Sequence, residues 1–83
     1  MNDWFVYIVR CADDSLYTGI TKNVVRRIQE HNNDDSLGAK YTKARRPVVL
    51  VHQEMCMSRS AATKREIEIK KLSRKDKNIL LDQ

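Results

Sequence analysis

The sequence has no apolar run long enough to cross a membrane. Its longest are Phe5 to Val9, with Tyr7 inside, and Val48 to Val51; a spanning helix needs roughly 18–20 residues. No signal peptide is expected either, because the chain opens on Asn2 and Asp3 and the apolar run behind them is too short. The cytoplasm is the natural compartment. Cysteine is scarce: Cys11 and Cys56 stand alone, with no CxxC or Cys/His cluster of the kind that takes zinc. A buried, reduced thiol is expected for each. No internal repeat and no linker interrupts the 83 residues, so one domain over residues 1–83 is the expectation. Acids are the minority charge. Sixteen Lys and Arg against eleven Asp and Glu leave a net charge of +5 at pH 7, which suits an acidic partner such as nucleic acid. A chain of this size buries only about 60–65% of its unfolded surface. A polar residue on an inward face therefore asks for a reason.

What is present is concentrated between Val6 and Asn32, which reads as strand, turn, strand, helix. Trp4 to Cys11 is rich in β-branched and aromatic residues. Ala12 to Ser15 supplies turn residues, and Leu16 to Ile20 returns. The parity of the loop decides which residues share a face. A two-residue turn at Asp13-Asp14 sends Tyr7 and Tyr17 to opposite faces; an odd loop pairs Val9 with Tyr17 and puts both tyrosines on one face. If the tyrosines work together, a three- or five-residue loop or a bulge is predicted. Gly19 inside the second strand fits a bulge or a close backbone approach. A helix then starts near Thr21 to Asn23, either of which can cap it. Val24, Val25 and Ile28 define its apolar side, with Arg27 and His31 at the edge of that side and Arg26, Gln29 and Glu30 pointing away.

Asp34 to Arg46 reads as a loop. Its second half carries Lys40, Lys43, Arg45 and Arg46 with no acid among them, and Tyr41 interrupts the run. Val48 to Met55 reads as the third strand, apolar on both faces in its first half and so expected at the centre of the sheet. Ser58 is a good cap for a helix to about Leu72, with Ala62, Glu66 and Ile69 on its inward stripe and Glu68 and Lys70 projecting elsewhere. Ser73 to Asp76 resembles a capping box, and a last short helix with Ile79 and Leu80 is expected to cover the core. The fold class is α+β: a three-stranded antiparallel sheet flanked by helices, in the order β-β-α-β-α-α.

The hairpin resembles the GIY-YIG motif of a nuclease superfamily. Its first half stands here as Phe5-Val6-Tyr7, or Val6-Tyr7-Ile8 read loosely, and its second as Tyr17-Thr18-Gly19. Arg27 and His31 in RRIQEHN and Glu66 in ATKREIEIKKL match the later elements, and GAKYTKARRP is similar to the segment after the helix in the structure-specific branch. The resemblance runs from about Trp4 to Leu72. The chain looks like one of the small stand-alone bacterial GIY-YIG proteins, whose cellular role is largely unassigned. It departs from the pattern at the first glycine, where Phe5 stands, and at the two isoleucines, replaced by Val6 and Thr18.

The resemblance implies a DNA endonuclease that depends on Mg²⁺ or Mn²⁺ and acts on branched or damaged DNA in repair or recombination. It implies that Tyr7 is the base, His31 its hydrogen-bond partner and Tyr17 a phosphate-contacting or orienting group, while Gly19 lets the backbone come close. The chemistry itself asks for an activated water and for charge on the phosphate. Glu66 could supply a carboxylate to one Mg²⁺, which keeps several waters. Arg27 could clamp a phosphate with its planar fork. Lys40, Lys43, Arg45 and Arg46 would contact the DNA backbone, giving affinity without sequence specificity. Duller readings stand beside these. Either tyrosine singly is an ordinary amphipathic strand residue, His31 a helix-dipole partner, Arg27 a snorkelling side chain, and the basic run a solvated face. A structural ion pair from Arg27 or a lysine would also account for Glu66. The rival functions are a nucleic-acid-binding module with weak or no catalysis, and an adaptor docked on a repair protein. A protein partner that supplies substrate choice fits the nuclease reading.

Overall fold

The computed structural model describes residues 3–83; Asn2 lies outside the described residues. The hairpin comes first. Strand β1 (Trp4–Arg10) and strand β2 (Leu16–Thr21) are joined by the five residues 11–15. Asp14 takes the left-handed position of the turn at φ 69°, where a short polar side chain is tolerated best. The Asp13 carboxylate accepts a hydrogen bond from the Ser15 amide at 3.1 Å. The odd loop sets the register: Val9 pairs with Tyr17 and Tyr7 with Gly19, so both tyrosines lie on one face.

Strand β3 (Val49–Cys56) pairs antiparallel with β1 on its other side, giving the order β2-β1-β3. The expectation of a central third strand is therefore corrected: β1 is central and β3 is an edge. Its apolar first half is explained by helices on both faces of the sheet. Val51 packs with one cluster and Leu50 and Val48 with the other. The register shifts between Ile8, opposite His52, and Val9, opposite Leu50, so Val51 is the extra residue of a bulge.

One face of β1 presents Tyr7 and Val9, which meet helix α1 (Val24–Asn33) through Val24 and Ile28. The other face presents Val6 and Ile8, which meet Ala62 and Ile69 of α3 (Arg59–Lys70) and Leu80 and Leu81 of α4 (Arg74–Leu81). Each of these three helices begins on a side chain that caps the first turn. Asn23 accepts from the Arg26 amide, Ser58 from Ala61 and Ser73 from Asp76. Two apolar assignments change. Val25 is 70% exposed, so Val24, Ile28 and the buried His31 form the inner stripe of α1. Ile79 is 52% exposed, and its two successors cover the core instead. The segment read as one loop contains a short helix α2 (Lys40–Lys43). Cys11 is buried and Cys56 partly so, and both are free thiols.

These placements separate two isoleucines of similar sequence context. Ile69→Ala is expected to cost about 2–5 kcal/mol, because it empties a fully buried site. Ile79→Ala is expected to stay within about 0.5 kcal/mol. Urea unfolding of the two variants checks this, and equal losses would contradict the assignment of the α4 face.

Candidate active site

The site is built on the central strand. Tyr7 is 1% exposed and His31 is 0% exposed, and the Tyr7 hydroxyl and His31 Nε2 share a hydrogen bond at 2.7 Å. The strand brings the phenol and the helix brings the imidazole. Gly19 lies directly across the ladder from Tyr7. A methyl group there would come within 2.5 Å of the Tyr7 hydroxyl oxygen and 2.7 Å of Cζ. Glycine is thus required by close approach of a side chain rather than by a bulge. Tyr17 stands edge-on to the His31 ring, centroids 5.3 Å apart, and stacks on Tyr41 at 5.8 Å.

Burial pushes the Tyr7 phenol up to about 12. The Tyr17 hydroxyl adds to the rise, the Arg27 guanidinium opposes it and the Glu66 carboxylate adds slightly. Burial, reinforced by Arg27, also pushes His31 down to about 4, so its ring is neutral at pH 7. Arg27 donates through Nη1 to Glu30 Oε1 at 2.9 Å and to the Leu37 carbonyl. Glu30, expected to point away, therefore holds the arginine at the site. The rest of the guanidinium fork makes no further ion pair among the described residues.

Glu66 comes from α3, which packs on the opposite face of the sheet, yet its charge reaches Tyr7. Its side chain is largely buried between the turns of Ala62 and Ile69, and Lys70 Nζ lies 3.4 Å from Oε2. Lys70, expected to project elsewhere, turns back to it. Among the described residues no group of three or more His, Cys, Asp or Glu could hold a metal. One carboxylate with only an exposed lysine as partner still fits a Mg²⁺ that keeps most of its waters and takes its other ligands from phosphate.

The basic segment divides. Arg46 donates to the His31 carbonyl at 2.6 Å, the Asp34 carbonyl at 3.0 Å and Asp35 at 2.9 Å, which caps the C-terminal end of α1. Arg45 donates to Asp13 at 3.0 Å and to the Tyr41 carbonyl at 2.8 Å, and its Cζ lies 3.9 Å over the Tyr41 ring. Lys40 and Lys43 are exposed and make no ion pair among the described residues. The two lysines are therefore the freer cations, and the two arginines are occupied in holding the segment to α1 and to the hairpin loop.

Comparison with known proteins places this geometry. The model of the GIY-YIG catalytic domain matches residues 3–79. The chain belongs to the GIY-YIG family. It is 59% identical over 78 residues to a UPF0213 protein of Desulfotalea psychrophila, covering 94% of this chain and 70% of that one. It is 57% identical to a UPF0213 protein of Staphylococcus haemolyticus, covering 95% and 94%. Among solved structures it resembles the UPF0213 protein BH0048 of Bacillus halodurans, with 42% identity, a TM-score of 0.62, and 96% and 83% coverage. It also resembles the protein EF2693 of E. faecalis, with 39% identity, a TM-score of 0.65, and 99% and 85% coverage. Among the described residues of this GIY-YIG chain no helix is long and apolar enough to cross a membrane.

Two polar residues of this GIY-YIG site escaped the sequence reading. Asn32 pairs with the Val48 backbone in both directions, at 3.0 and 2.7 Å, and so fixes the entry to β3. Thr42 is fully buried, with Oγ1 3.0 Å from His31 Nδ1. Its signal was faint: a threonine between Lys40-Tyr41 and Lys43 looks like part of a solvated run.

The buried imidazole makes stability depend on pH. The unfolded ring titrates near 6.5 and the folded ring near 4, so the unfolded state binds more protons between those values and stability falls as pH falls. Between pH 7 and pH 5 the expected loss is about 2 kcal/mol. Urea unfolding at the two pH values measures it. His31→Gln should remove most of this slope, and a flat wild-type profile would mean that burial does not hold the ring neutral.

Proposed function

We propose that this GIY-YIG protein is a DNA endonuclease that uses Mg²⁺ or Mn²⁺ to hydrolyse phosphodiesters in branched or damaged DNA, in repair or recombination. It acts in the cytoplasm, with residues 1–83 as one domain. The observation that carries the reading is the buried Tyr7–His31 pair, 2.7 Å apart, with Arg27 and Glu66 near enough to bear on the phenol. An apolar pair would join strand and helix without the cost of burying polar groups. The polar pair is better explained by chemistry.

In this reading Arg27 binds the scissile phosphate through the free part of its fork. Tyr7, once it has passed its own proton to solvent in the occupied site, takes the proton of the attacking water as phenolate; the new oxygen–phosphorus bond forms, the ester bond breaks and the departing oxygen takes a proton from a water. Tyr17, held by His31 and Tyr41, orients the phosphate, and the backbone at Gly19 leaves room for the Tyr7 hydroxyl. A divalent ion held at Glu66 would supply positive charge to the phosphate. Lys40 and Lys43 contact the DNA backbone, joined by Arg45 and Arg46 where their present partners yield. Such contacts carry no sequence information. The choice of site then falls to DNA shape or to a protein partner.

One observation favours a second reading, a binding module without catalysis. A phenol pushed up to about 12 is a poor base at pH 7. Nicking and binding assays on a branched duplex separate the two. The nuclease reading expects metal-dependent nicking that falls about 10²–10³-fold in Arg27→Ala or Glu66→Ala. It expects Tyr7→Phe to lose rate at nearly unchanged affinity. Salt-sensitive binding without nicking would establish the binding module, and no binding at low salt would leave the adaptor.

A further inference from the structure

Trp4 is the only tryptophan of the chain, and the site described above leaves it unused. It opens β1, packed against the cluster of Val6, Ile8, Ala62 and Ile69 but still partly exposed. Two cations stand over its ring: Lys22 Nζ lies 5.4 Å from the centroid and Arg59 Cζ 5.6 Å. We propose that Trp4, Lys22 and Arg59 form a docking point for one unpaired nucleotide of the DNA. Its base stacks on the indole, and the phosphates beside it are held by the two cations. DNA as the ligand rests on the nuclease reading above, which this docking point narrows to branched DNA with a single-stranded arm.

Charge without an acidic partner marks the spot. Among the described residues every arginine but Arg59 lies in an ion pair with a carboxylate. Arg45 shows the contrast: its Cζ lies 3.9 Å over the Tyr41 ring, and Asp13 holds it as well. Lys22 and Arg59 are exposed, and the indole is the one partner that either has among the described residues. Two such cations attract an anion. A phosphate offers them charge-assisted hydrogen bonds, which an aromatic face does not. As the phosphates draw the cations aside, the indole is left to a base. Stacking of this kind accepts any base, because every base has a π-face.

Position ties the spot to the site. Arg59 and Glu66 are seven residues apart on α3, so they share one stripe at about 10 Å along the axis. Trp4 precedes Tyr7 by three residues on β1, which is also about 10 Å. Trp4 lies on the face of the sheet that α3 covers, the helix that carries Glu66. Lys22 directly precedes Asn23, the cap of the helix that carries Arg27. A base on Trp4 is therefore a short step along the strand whose phosphate meets Arg27. Bases inside a duplex stack on one another, and freeing one costs a few kcal/mol. The docking point thus takes a nucleotide that is already unpaired. Lys40 and Lys43 touch only the backbone; Trp4 reads whether the strand is single.

The test uses the fluorescence of Trp4, which no other tryptophan obscures. Oligothymidine, an abasic strand of the same length and a blunt duplex are each titrated at low salt without metal. Binding is followed separately by the anisotropy of a label on the DNA. Oligothymidine is expected to quench the emission strongly, while the abasic strand and the duplex bind with little quenching. Arg59→Ala and Lys22→Ala should each weaken oligothymidine binding and lower its salt slope by about one. Trp4→Leu should weaken oligothymidine about tenfold and leave duplex binding unchanged. Equal quenching by the abasic strand or the duplex would overturn the proposal. So would oligothymidine that binds without quenching, or that does not bind. If Trp4→Leu does not fold, the wild-type titrations decide alone. Binding without quenching leaves the nuclease reading standing, and quenching without metal-dependent nicking removes the nuclease but keeps the docking point.

Discussion

A hydrogen bond of 2.7 Å between Tyr7 on the central strand and His31 on α1 is the contact around which the site is assembled. Both partners are buried, so losing either leaves a polar group stranded at a cost of about 1–3 kcal/mol. The bond fixes the distance between sheet and helix. It also dictates glycine across the ladder, because any side chain at position 19 would meet the phenol. The neutral state of the ring follows from the same burial. One interaction thus links packing, sequence and ionisation.

The rest of the fold keeps that contact in place. Val9, Val24, Val48 and Ile28 pack on the Tyr7 side of the sheet. Val6, Ile8, Ala62 and Ile69 brace β1 from the other. Arg46 clasps the end of α1 from beyond α2, and Asn32 fastens α1 to the start of β3. The segment carrying Thr42 is thereby pressed against His31. Residues that looked like a basic surface when read along the chain divide into two structural arginines and two exposed lysines. This arrangement positions the GIY-YIG constellation, and it also tells which cations are freest to meet a phosphate.

Much of this was legible in the chain. Loop parity made the shared face of Tyr7 and Tyr17 conditional on an odd loop, and the observed Val9–Tyr17 pairing follows from the five-residue loop. The caps Asn23, Ser58 and Ser73 marked helix starts because each offers an oxygen to an amide three residues on. Strand order was not legible. An apolar run such as Val48 to Val51 records how many faces are covered and says nothing of which edge is paired. The short helix α2 was missed because its four residues are held by contacts with α1 rather than by propensity. Lys70 and Glu30 were misplaced because long side chains turn toward a charge that periodicity does not see. Thr42 was invisible for a related reason: its partner lies eleven residues away on another helix.

The proposed nuclease makes Tyr7, Tyr17, Arg27, His31 and Glu66 one site for a phosphodiester and its metal ion. An NMR titration of labelled protein with Mg²⁺ and a short branched DNA tests it most directly. Shifts gathered at those five residues are expected, with DNA shifts spreading to Lys40 and Lys43. Shifts confined to a distant surface, or no DNA shifts at low salt, would contradict it and leave the buried tyrosine–histidine pair as a requirement of the fold alone.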